Sequence, residues 1–356
     1  MTTPFGVYLH IPFCARRCDY CAFATWSDRH HLQAAYLDAL EAEILRAIDA
    51  GLPPATSIFV GGGTPSLVDP ERLSKILQLV PRVDSTEITV ECNPESTTPH
   101  HMACFRAAGV DRISFGVQSM SPAVLQSLGR DHDPVTVQSA VRFAREGGIE
   151  RVNLDLIYGG SGESLSDWSR TLEEVVALDP DHVSAYALTV EPGTPLADEP
   201  SRHPDEDDQA DKYLLADSML SAAGFDNYEI SNWARPGQEC AHNLLYWRQG
   251  DYLGFGCAAH SHRSGRRWWN VRTPERYVEL IASGGSVEAA AEHLDPERRR
   301  IEGLQLSLRT REGVPSHALD PGDREALDSL ISMRDGVITL TPEGRLLANE
   351  VAVRLR

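Results

Sequence analysis

The chain has 356 residues, of which 42% are hydrophobic, and it carries a formal net charge of −19. This length suits one large domain with a smaller appendix, or two to three ordinary domains. The balance of 52 acidic against 33 basic residues argues against general nucleic-acid binding, which requires clustered cations. No apolar run reaches the length of a bilayer span and the N-terminus does not read as a signal peptide, so we expect a cytoplasmic protein.

Short apolar segments alternate with helical patterns along the first 225 residues. Predicted strands lie at 7–10, 57–60, 87–91, 112–117, 152–157 and 182–188. Predicted helices lie at 28–50, 70–80, 99–108, 121–128, 134–146, 163–178 and 207–223. Strands that alternate with helices pair in parallel through right-handed crossovers. The pattern alone leaves open whether the sheet is an open doubly wound sheet or a barrel.

Three cysteines, Cys14, Cys18 and Cys21, follow the first predicted strand within eight residues. Three thiolates on one loop can hold three irons of a 4Fe–4S cluster and leave the fourth iron open to another ligand. The alternative is a closed zinc site, whose fourth ligand would be His10, His30 or His31. A disulfide framework is disfavoured, because the chain is long and no secretory signal is recognised.

Polar or glycine-rich residues stand at the carboxyl ends of the predicted strands. After the cysteines come the run 61–63, then Glu91, Gln118 and Asp155. In β/α barrels these strand ends meet at one rim, where ligand sites form. Each residue taken alone is also explained by a tight turn, a strand-end acid or a surface hydrogen bond. Their common position favours a shared ligand.

The pattern Cys-x-x-x-Cys-x-x-Cys, preceded by Tyr-x-His-x-Pro-Phe, resembles the signature of radical S-adenosylmethionine (SAM) proteins. More narrowly, it resembles the branch that contains the oxygen-independent coproporphyrinogen III oxidases and the heme chaperones related to them. The resemblance implies an α/β fold with a partial (β/α)6 barrel, which agrees with the six predicted strand–helix units. It also implies a 4Fe–4S cluster on Cys14, Cys18 and Cys21, with SAM bound to the open iron.

The same resemblance implies the SAM-binding residues, position by position. They are Tyr8, Gly62, Gly63, Thr64, Glu91, Gln118, Arg130 and Asp155. Carboxylates suit the ammonium and sulfonium groups of SAM, and an arginine suits its carboxylate. One departure is visible: the family's Tyr-Gly-Leu-Pro-Gly turn reads Tyr-Gly-Gly-Ser-Gly at 158–162, so we expect a looser turn there.

Residues 226–272 form an aromatic-rich segment that holds four of the six tryptophans. A hydrophobic strand pair covering the barrel explains this segment most simply. The functional alternative is a heme or porphyrin contact, since imidazole can ligate heme iron and aromatic rings can cover the macrocycle. The sequence His-Asn-x-x-Tyr-Trp at 242–247 resembles the hallmark of the heme chaperones, and Phe23 stands where the true oxidases carry a fourth cysteine. We therefore predict His242 as a heme-binding residue, with His260 and His262 as alternatives.

From residue 273 the sequence predicts helices near 274–281, 296–308 and 321–334, a strand at 336–340 and a last helix from 342. This order indicates a small, winged-helix-like C-terminal domain. Its basic run at 298–300 is explained more simply by a solvated helix face than by DNA binding. The predicted division is a radical SAM core over 1–225, an aromatic-rich extension over 226–272 and a helical domain over 273–356.

Two functions agree with these features. The first is a heme chaperone that binds the cluster and SAM, takes up heme and delivers it to acceptor hemoproteins, including membrane enzymes of the respiratory chain. The second is an oxygen-independent coproporphyrinogen III oxidase, in which a SAM-derived radical starts the oxidative decarboxylation of propionates. Phe23 and the segment 242–247 favour the chaperone, so we expect no oxidase activity. The resemblance further implies a homodimer.

Overall fold

A computed structural model describes residues 3–356. At its centre, the first six strands lie side by side in chain order, and each neighbouring pair among them is parallel. These strands are β1 (Phe5–Ile11), β2 (Ala55–Gly62), β3 (Arg82–Cys92), β4 (Arg112–Gln118), β5 (Arg151–Tyr158) and β6 (His182–Ala187). They occupy the six predicted positions, and the predicted α/β class with a parallel sheet is confirmed.

Helices connect and follow these strands. They are α1 (Gln33–Asp49), α2 (Pro70–Leu79), α3 (Pro99–Ala107), α4 (Pro122–Ser127), α5 (Pro134–Glu146), α6 (Leu165–Ala177) and α7 (Glu206–Ala222). Helices α2 to α5 each begin with proline, which suits a position whose N–H has no helical partner. The predicted start of α1 at residue 28 was wrong, because a short 3₁₀ turn (His30–Leu32) precedes the helix. Within the described range, none of the helices is both long enough and apolar enough to cross a bilayer.

β1 shows how the sheet is built around its core. Phe5, Val7, Leu9 and Ile11 are at most 6% exposed and belong to one continuous apolar core with the surrounding helices. Because side chains alternate along a strand, Tyr8 and His10 point to the opposite face. That face carries the polar residues described below.

The aromatic-rich segment extends the central sheet at both of its edges. At the β6 edge, β7 (Asp226–Glu229) and β8 (Asn232–Ala234) add antiparallel strands. At the β1 edge, the segment adds β9 (Asp251–Phe255), β10 (His260–Arg263) and β11 (Arg266–Asn270), and β12 (Glu288–His293), which follows the segment, pairs with β11. Helix α8 (Ala241–Trp247) lies between these two groups in sequence and packs against β1 and β2. The predicted boundaries at 225 and 272 remain predictions, since strands on both sides of each boundary share this sheet.

A second apolar core gathers side chains from residues 304–355. Its antiparallel sheet has the order β13–β15–β14, formed by β13 (Val314–Pro315), β14 (Ile331–Arg334) and β15 (Val337–Leu340). The helices of the last part of the chain are α9 (Pro274–Ala282), α10 (Pro296–Ser307), α11 (Pro321–Ala326), α12 (Pro342–Leu346) and α13 (Ala348–Ala352). The predicted helix at 321–334 was wrong in its second half, because β14 pairs with β15 there. The winged-helix-like shape remains a prediction.

We predict that Gly336→Ala weakens the hairpin of β14 and β15. Asp335 and Gly336 form its two-residue turn, with φ of 51° and 79°. A side chain in this left-handed region costs about 1–2 kcal/mol at a non-glycine residue. Amide hydrogen exchange across residues 331–340 should therefore become faster in the variant.

Gly322→Ala is the matched control for this hairpin. Both glycines face open space, but the φ of Gly322 lies outside the left-handed region. Equal exchange rates in the two variants would contradict the assignment of the turn.

Candidate functional site

The three predicted cysteine ligands lie on one loop, residues 12–26, which leaves the carboxyl end of β1 and is called the cysteine loop below. Its base is closed by two backbone hydrogen bonds: the N–H of Cys14 donates to the carbonyl of Trp26 (3.1 Å), and the N–H of Trp26 donates to that of Pro12 (2.8 Å). Cys14, Cys18 and Cys21 are free, partly exposed thiols. A single closed segment thus carries the three thiols that a 4Fe–4S cluster needs.

The alternative of a closed zinc site requires a neighbouring histidine as the fourth ligand. The ring of His10 is already bonded on both sides, to the hydroxyl of Tyr8 (3.1 Å) and to the carbonyl of Ala24 (2.9 Å). Across residues 3–356, no group of three or more His, Cys, Asp or Glu side chains converges as the ligands of one metal ion would. Thiolates that each bind a different iron of a cluster do not need such convergence.

Arg130 reaches the cysteine loop from the segment after β4. Its Nη1 lies 3.5 Å from the sulfur of Cys18, and its Nη2 donates to Oδ1 of Asn93 and to the carbonyl of Gly116, both at 3.0 Å. The side-chain amide of Gln118 closes over Gly116, where a Cβ would lie 2.9 Å from it. The predicted residues Gln118 and Arg130 are therefore brought together at Gly116, and Arg130 extends from there to Cys18. A guanidinium here stabilises negative charge on a sulfur ligand.

The glycine run at the end of β2 lets two backbones approach closely. The N–H groups of Gly63 and Thr64 donate to the carbonyls of Ile11 and Phe13, each at 2.7 Å. A Cβ on Gly63 would lie 2.6 Å from the oxygen of Phe13 and 3.0 Å from the sulfur of Cys14. Packing against the cysteine loop is therefore one physical reason for glycine at this position. The predicted contacts of this run with SAM remain predictions.

Glu91 stands at the end of β3, beside the glycine run. Its Oε2 accepts a hydrogen bond from the N–H of Gly62 (3.1 Å). Burial, followed by the nearby negative charge of Asp155, raises the pKa of Glu91 to about 7. Asp155 accepts hydrogen bonds from Oγ of Ser114 (2.7 Å) and Nδ2 of Asn153 (2.8 Å). Two neighbouring, partly buried carboxyl groups favour a cationic ligand, because it would lower the repulsion between them.

Two adjoining cavities open at this end of the sheet. The larger has a volume of about 890 Å³ and an aromatic lining that includes Phe23, Tyr246, Tyr252, His260 and Trp269. The smaller has a volume of about 190 Å³ and is more polar, with Arg112, Ser114, Asn153 and Asp155 in its wall. Both are lined by Tyr8, Glu91 and Tyr246. A volume near 890 Å³ is in the range of pockets that hold cofactor-sized molecules.

The predicted SAM residues fall into two groups around these cavities. Tyr8, Gly62, Glu91 and Asp155 line one or both of them. Gly63, Thr64 and Arg130 contact the cysteine loop, and Gln118 lies with Arg130 around Gly116. The structure thus brings all eight to the carboxyl ends of the central strands.

His242, the predicted heme-binding residue, lines the smaller cavity and is not among the residues that line the larger one. It is 1% exposed. Its Nδ1 lies 2.9 Å from Oγ of Ser57, and its Nε2 lies 2.8 Å from the hydroxyl of Tyr246. Direct ligation of heme iron by His242 would require one of these hydrogen bonds to break.

The two alternative histidines differ in their surroundings. His262 is 4% exposed. Its Nδ1 lies 2.9 Å from the carbonyl of Gly250, and its Nε2 accepts from the N–H of Gly265 (3.1 Å). His260 is exposed, lines the larger cavity and stacks on Trp269. Among residues 3–356, no hydrogen bond engages the ring of His260.

Sequence reasoning missed the three arginines that line the cavities, Arg112, Arg267 and Arg272. Arg112 is 2% exposed and lines the smaller one, and Arg272 is exposed and lines the larger one. An arginine at the start or just beyond the end of a strand gives no local signal of the cavity it faces. Only the three-dimensional pairing of distant strands reveals it.

We predict that Gly63→Ala prevents assembly of the cluster. The added methyl group would collide with two backbone oxygens, of Phe13 and Ile11, and would press on the sulfur of Cys14. Because these backbone atoms are held by hydrogen bonds to the residues after β2, they can move only slightly. The cysteine loop would therefore have to shift to accommodate the methyl group. Iron and sulfide content after anaerobic reconstitution should fall well below that of the unmodified chain.

Gly322→Ala serves as the control for this variant too, because its methyl group would meet no atom within 4 Å. Full iron loading of Gly63→Ala would show that the close approach is not required for the cluster.

Comparisons with known proteins agree with this geometry. The sequence model of the radical SAM superfamily matches residues 8–175. The heme chaperone HemW of Mycobacterium tuberculosis is 43% identical over 98% of this chain and 94% of its own length. HemW of Bacillus subtilis is 35% identical over 97% of both chains. HemW of Escherichia coli is 33% identical over 98% of this chain and 97% of its own.

Among solved structures, the coproporphyrinogen III oxidase HemN of Escherichia coli, described as a radical SAM enzyme, superposes with a TM-score of 0.86. The match covers 99% of this chain and 89% of that one at 24% identity, so it establishes a shared fold. The HemW relatives, by contrast, match at higher identity along nearly the whole sequence. The chain belongs to the HemW family of radical SAM proteins.

Proposed function

We propose that this protein is a heme chaperone, which takes up heme and transfers it to acceptor hemoproteins. Relatives that carry the name heme chaperone match nearly the whole chain. The observation that carries the proposal is the cavity of about 890 Å³, whose aromatic and histidine-containing wall adjoins the cysteine loop. Flat apolar rings suit a porphyrin face, and imidazole suits its iron.

A 4Fe–4S cluster and SAM belong to the radical SAM superfamily. Cys14, Cys18 and Cys21 would hold the cluster, and Arg130 would balance charge at the sulfur of Cys18. Because Gly63 has no side chain, its backbone can lie close to the sulfur of Cys14. When bound, the cluster supplies an electron and an open iron for SAM. The residues present fit both groups.

The proposed SAM site consists of Tyr8, Gly62, Gly63, Thr64, Glu91, Gln118, Arg130 and Asp155. Glu91 and Asp155 would accept hydrogen bonds from the cationic part of a ligand, and Arg130 would receive its carboxylate. The raised pKa of Glu91 supports this proposal, because an incoming cation would stabilise its ionised form.

Phe23 supports chaperone function over porphyrin oxidation. It occupies the position at which the oxidases resembled by this sequence carry a fourth cysteine. Its side chain is 68% exposed and lines the larger cavity from the cysteine loop. A large exposed ring at the mouth of a pocket suits a hydrophobic ligand that must enter and leave. Acceptors among membrane respiratory enzymes, a cytoplasmic location and a homodimer are further parts of the proposal.

We predict that replacing Cys14, Cys18 and Cys21 together by alanine abolishes cluster binding. Without these thiolates, the irons lose their protein ligands. The reconstituted variant should lack both iron and the brown visible absorption of the cluster. Cys104→Ala is the control, since Cys104 is a free thiol on α3. Zinc in place of iron in the unmodified protein would contradict the cluster assignment.

Heme binding is tested by titrating the purified, reconstituted protein with ferric heme. We expect a saturable shift of the Soret absorption near one heme per chain, because the larger cavity accepts one macrocycle. An unchanged Soret spectrum would overturn the chaperone proposal.

The same preparation tests the oxidase alternative. Incubated anaerobically with SAM, a reductant and coproporphyrinogen III, it should leave this substrate unconverted. Decarboxylated product would support the oxidase in place of the chaperone.

A further inference from the structure

Of the three histidines in the aromatic-rich segment, two have hydrogen-bonded ring nitrogens, and the ring of the third makes no hydrogen bond to any part of the chain that the structure describes. Both ring nitrogens of His242 and both of His262 lie within 3.1 Å of hydrogen-bonding partners in the protein. A nitrogen can ligate iron only through a free lone pair. His260 has no hydrogen-bonded ring nitrogen among residues 3–356, and it lines the larger cavity.

We propose that His260 is the axial ligand of the heme iron, and that His242 is a positioning residue that acts through Tyr246. This inference rests on the proposed heme chaperone function and assigns the ligand within it.

The fold holds His260 in place without using its ring nitrogens. His260 and Trp269 are directly paired across the antiparallel strands β10 and β11. Their rings are stacked, with centroids 5.6 Å apart and an angle of 24° between the planes. Stacking restricts the imidazole while its edge, which carries the nitrogens, remains available. Trp269 also lines the larger cavity, so it offers apolar surface beside the iron site.

The same wall offers a partner for the negatively charged propionates of heme. Arg272 follows β11, is exposed and lines the cavity. No ion pair or hydrogen bond within residues 3–356 engages its guanidinium. Arg267, by contrast, is already paired with Glu292 (3.0 Å) and Glu302 (2.8 Å). An unpaired arginine is a suitable carboxylate partner.

The role of His242 follows from its contacts. It is fixed between Ser57 and the hydroxyl of Tyr246, and its ring stacks on Phe59 with centroids 5.4 Å apart. Tyr246 lines both cavities. Loss of His242 would therefore displace a wall of the heme pocket without removing the iron ligand.

The experiment compares ferric heme titrations of the full-length protein and three variants, followed by absorption and electron paramagnetic resonance spectra. The variants are His260→Ala, His242→Ala and the control His293→Ala, whose histidine is exposed on β12. We expect His260→Ala to lose the imidazole-ligated spectrum and to bind heme at least about tenfold more weakly, which corresponds to about 1.4 kcal/mol. Free imidazole should restore the spectrum of this variant. His242→Ala should bind more weakly but keep the imidazole-ligated spectrum, and His293→Ala should match the unmodified protein.

The outcomes separate this inference from the proposed function. If His260→Ala keeps the spectrum of the unmodified protein, or if His242→Ala alone loses imidazole ligation, the assignment of His260 is overturned while heme binding stands. If the unmodified protein does not shift the Soret band, the chaperone proposal fails and this assignment with it.

Discussion

The site depends on the close pairing of β1 with β2 at their carboxyl ends. Two N–H groups after β2 donate to carbonyls at the end of β1, and this is sterically permitted because Gly63 has no side chain. The pairing fixes the base of the cysteine loop and places Cys14 against the glycine run. It also sets Gly62 within reach of Glu91. The backbone pairing of β1 with β2 thus positions both the three thiols and Glu91, the first carboxylate of the proposed SAM site.

A second constraint, the buried carboxylate of Glu87, holds α8, the helix that carries the sequence His-Asn-x-x-Tyr-Trp at 242–247. Glu87 accepts hydrogen bonds from the backbone N–H groups of Ala241 (3.1 Å) and His242 (3.2 Å) at the start of α8, and it pairs with Arg151 (2.9 Å). A carboxylate at a helix N-terminus satisfies N–H groups that lack helical partners. The backbone of α8 is therefore anchored to β3 and β5. This anchor fixes the buried His242 at the smaller cavity, while Tyr246 of the same helix lines both cavities.

The larger cavity is built from parts of the chain that are far apart in sequence. Tyr8 comes from β1, Phe23 from the cysteine loop, and His260 and Trp269 from strands added at the β1 edge. β9 brings these strands there, because it pairs in parallel with β1 across a separation of more than 200 residues. An aromatic wall thereby lies next to the proposed cluster. Such an arrangement suits a protein in which heme and an iron–sulfur cofactor occupy neighbouring sites.

The sequence by itself determined the local features of this protein. Alternating apolar strands and proline-started helices predicted the six parallel units, because hydrophobic periodicity and helix starts are encoded within a few residues. The spacing of Cys14, Cys18 and Cys21 placed the thiols on one loop for the same reason. The turn Asp335-Gly336 also carried a local hairpin signal, which was missed when a helix was predicted through residue 334. The tertiary structure alone decided that residues 226–272 flank both edges of the sheet and that Arg112 and Arg272 face cavities. It also decided that, within residues 3–356, the rings of His242 and His262 are hydrogen bonded and the ring of His260 is not. These properties depend on strand pairing and burial between distant segments, for which a linear sequence pattern carries no direct signal.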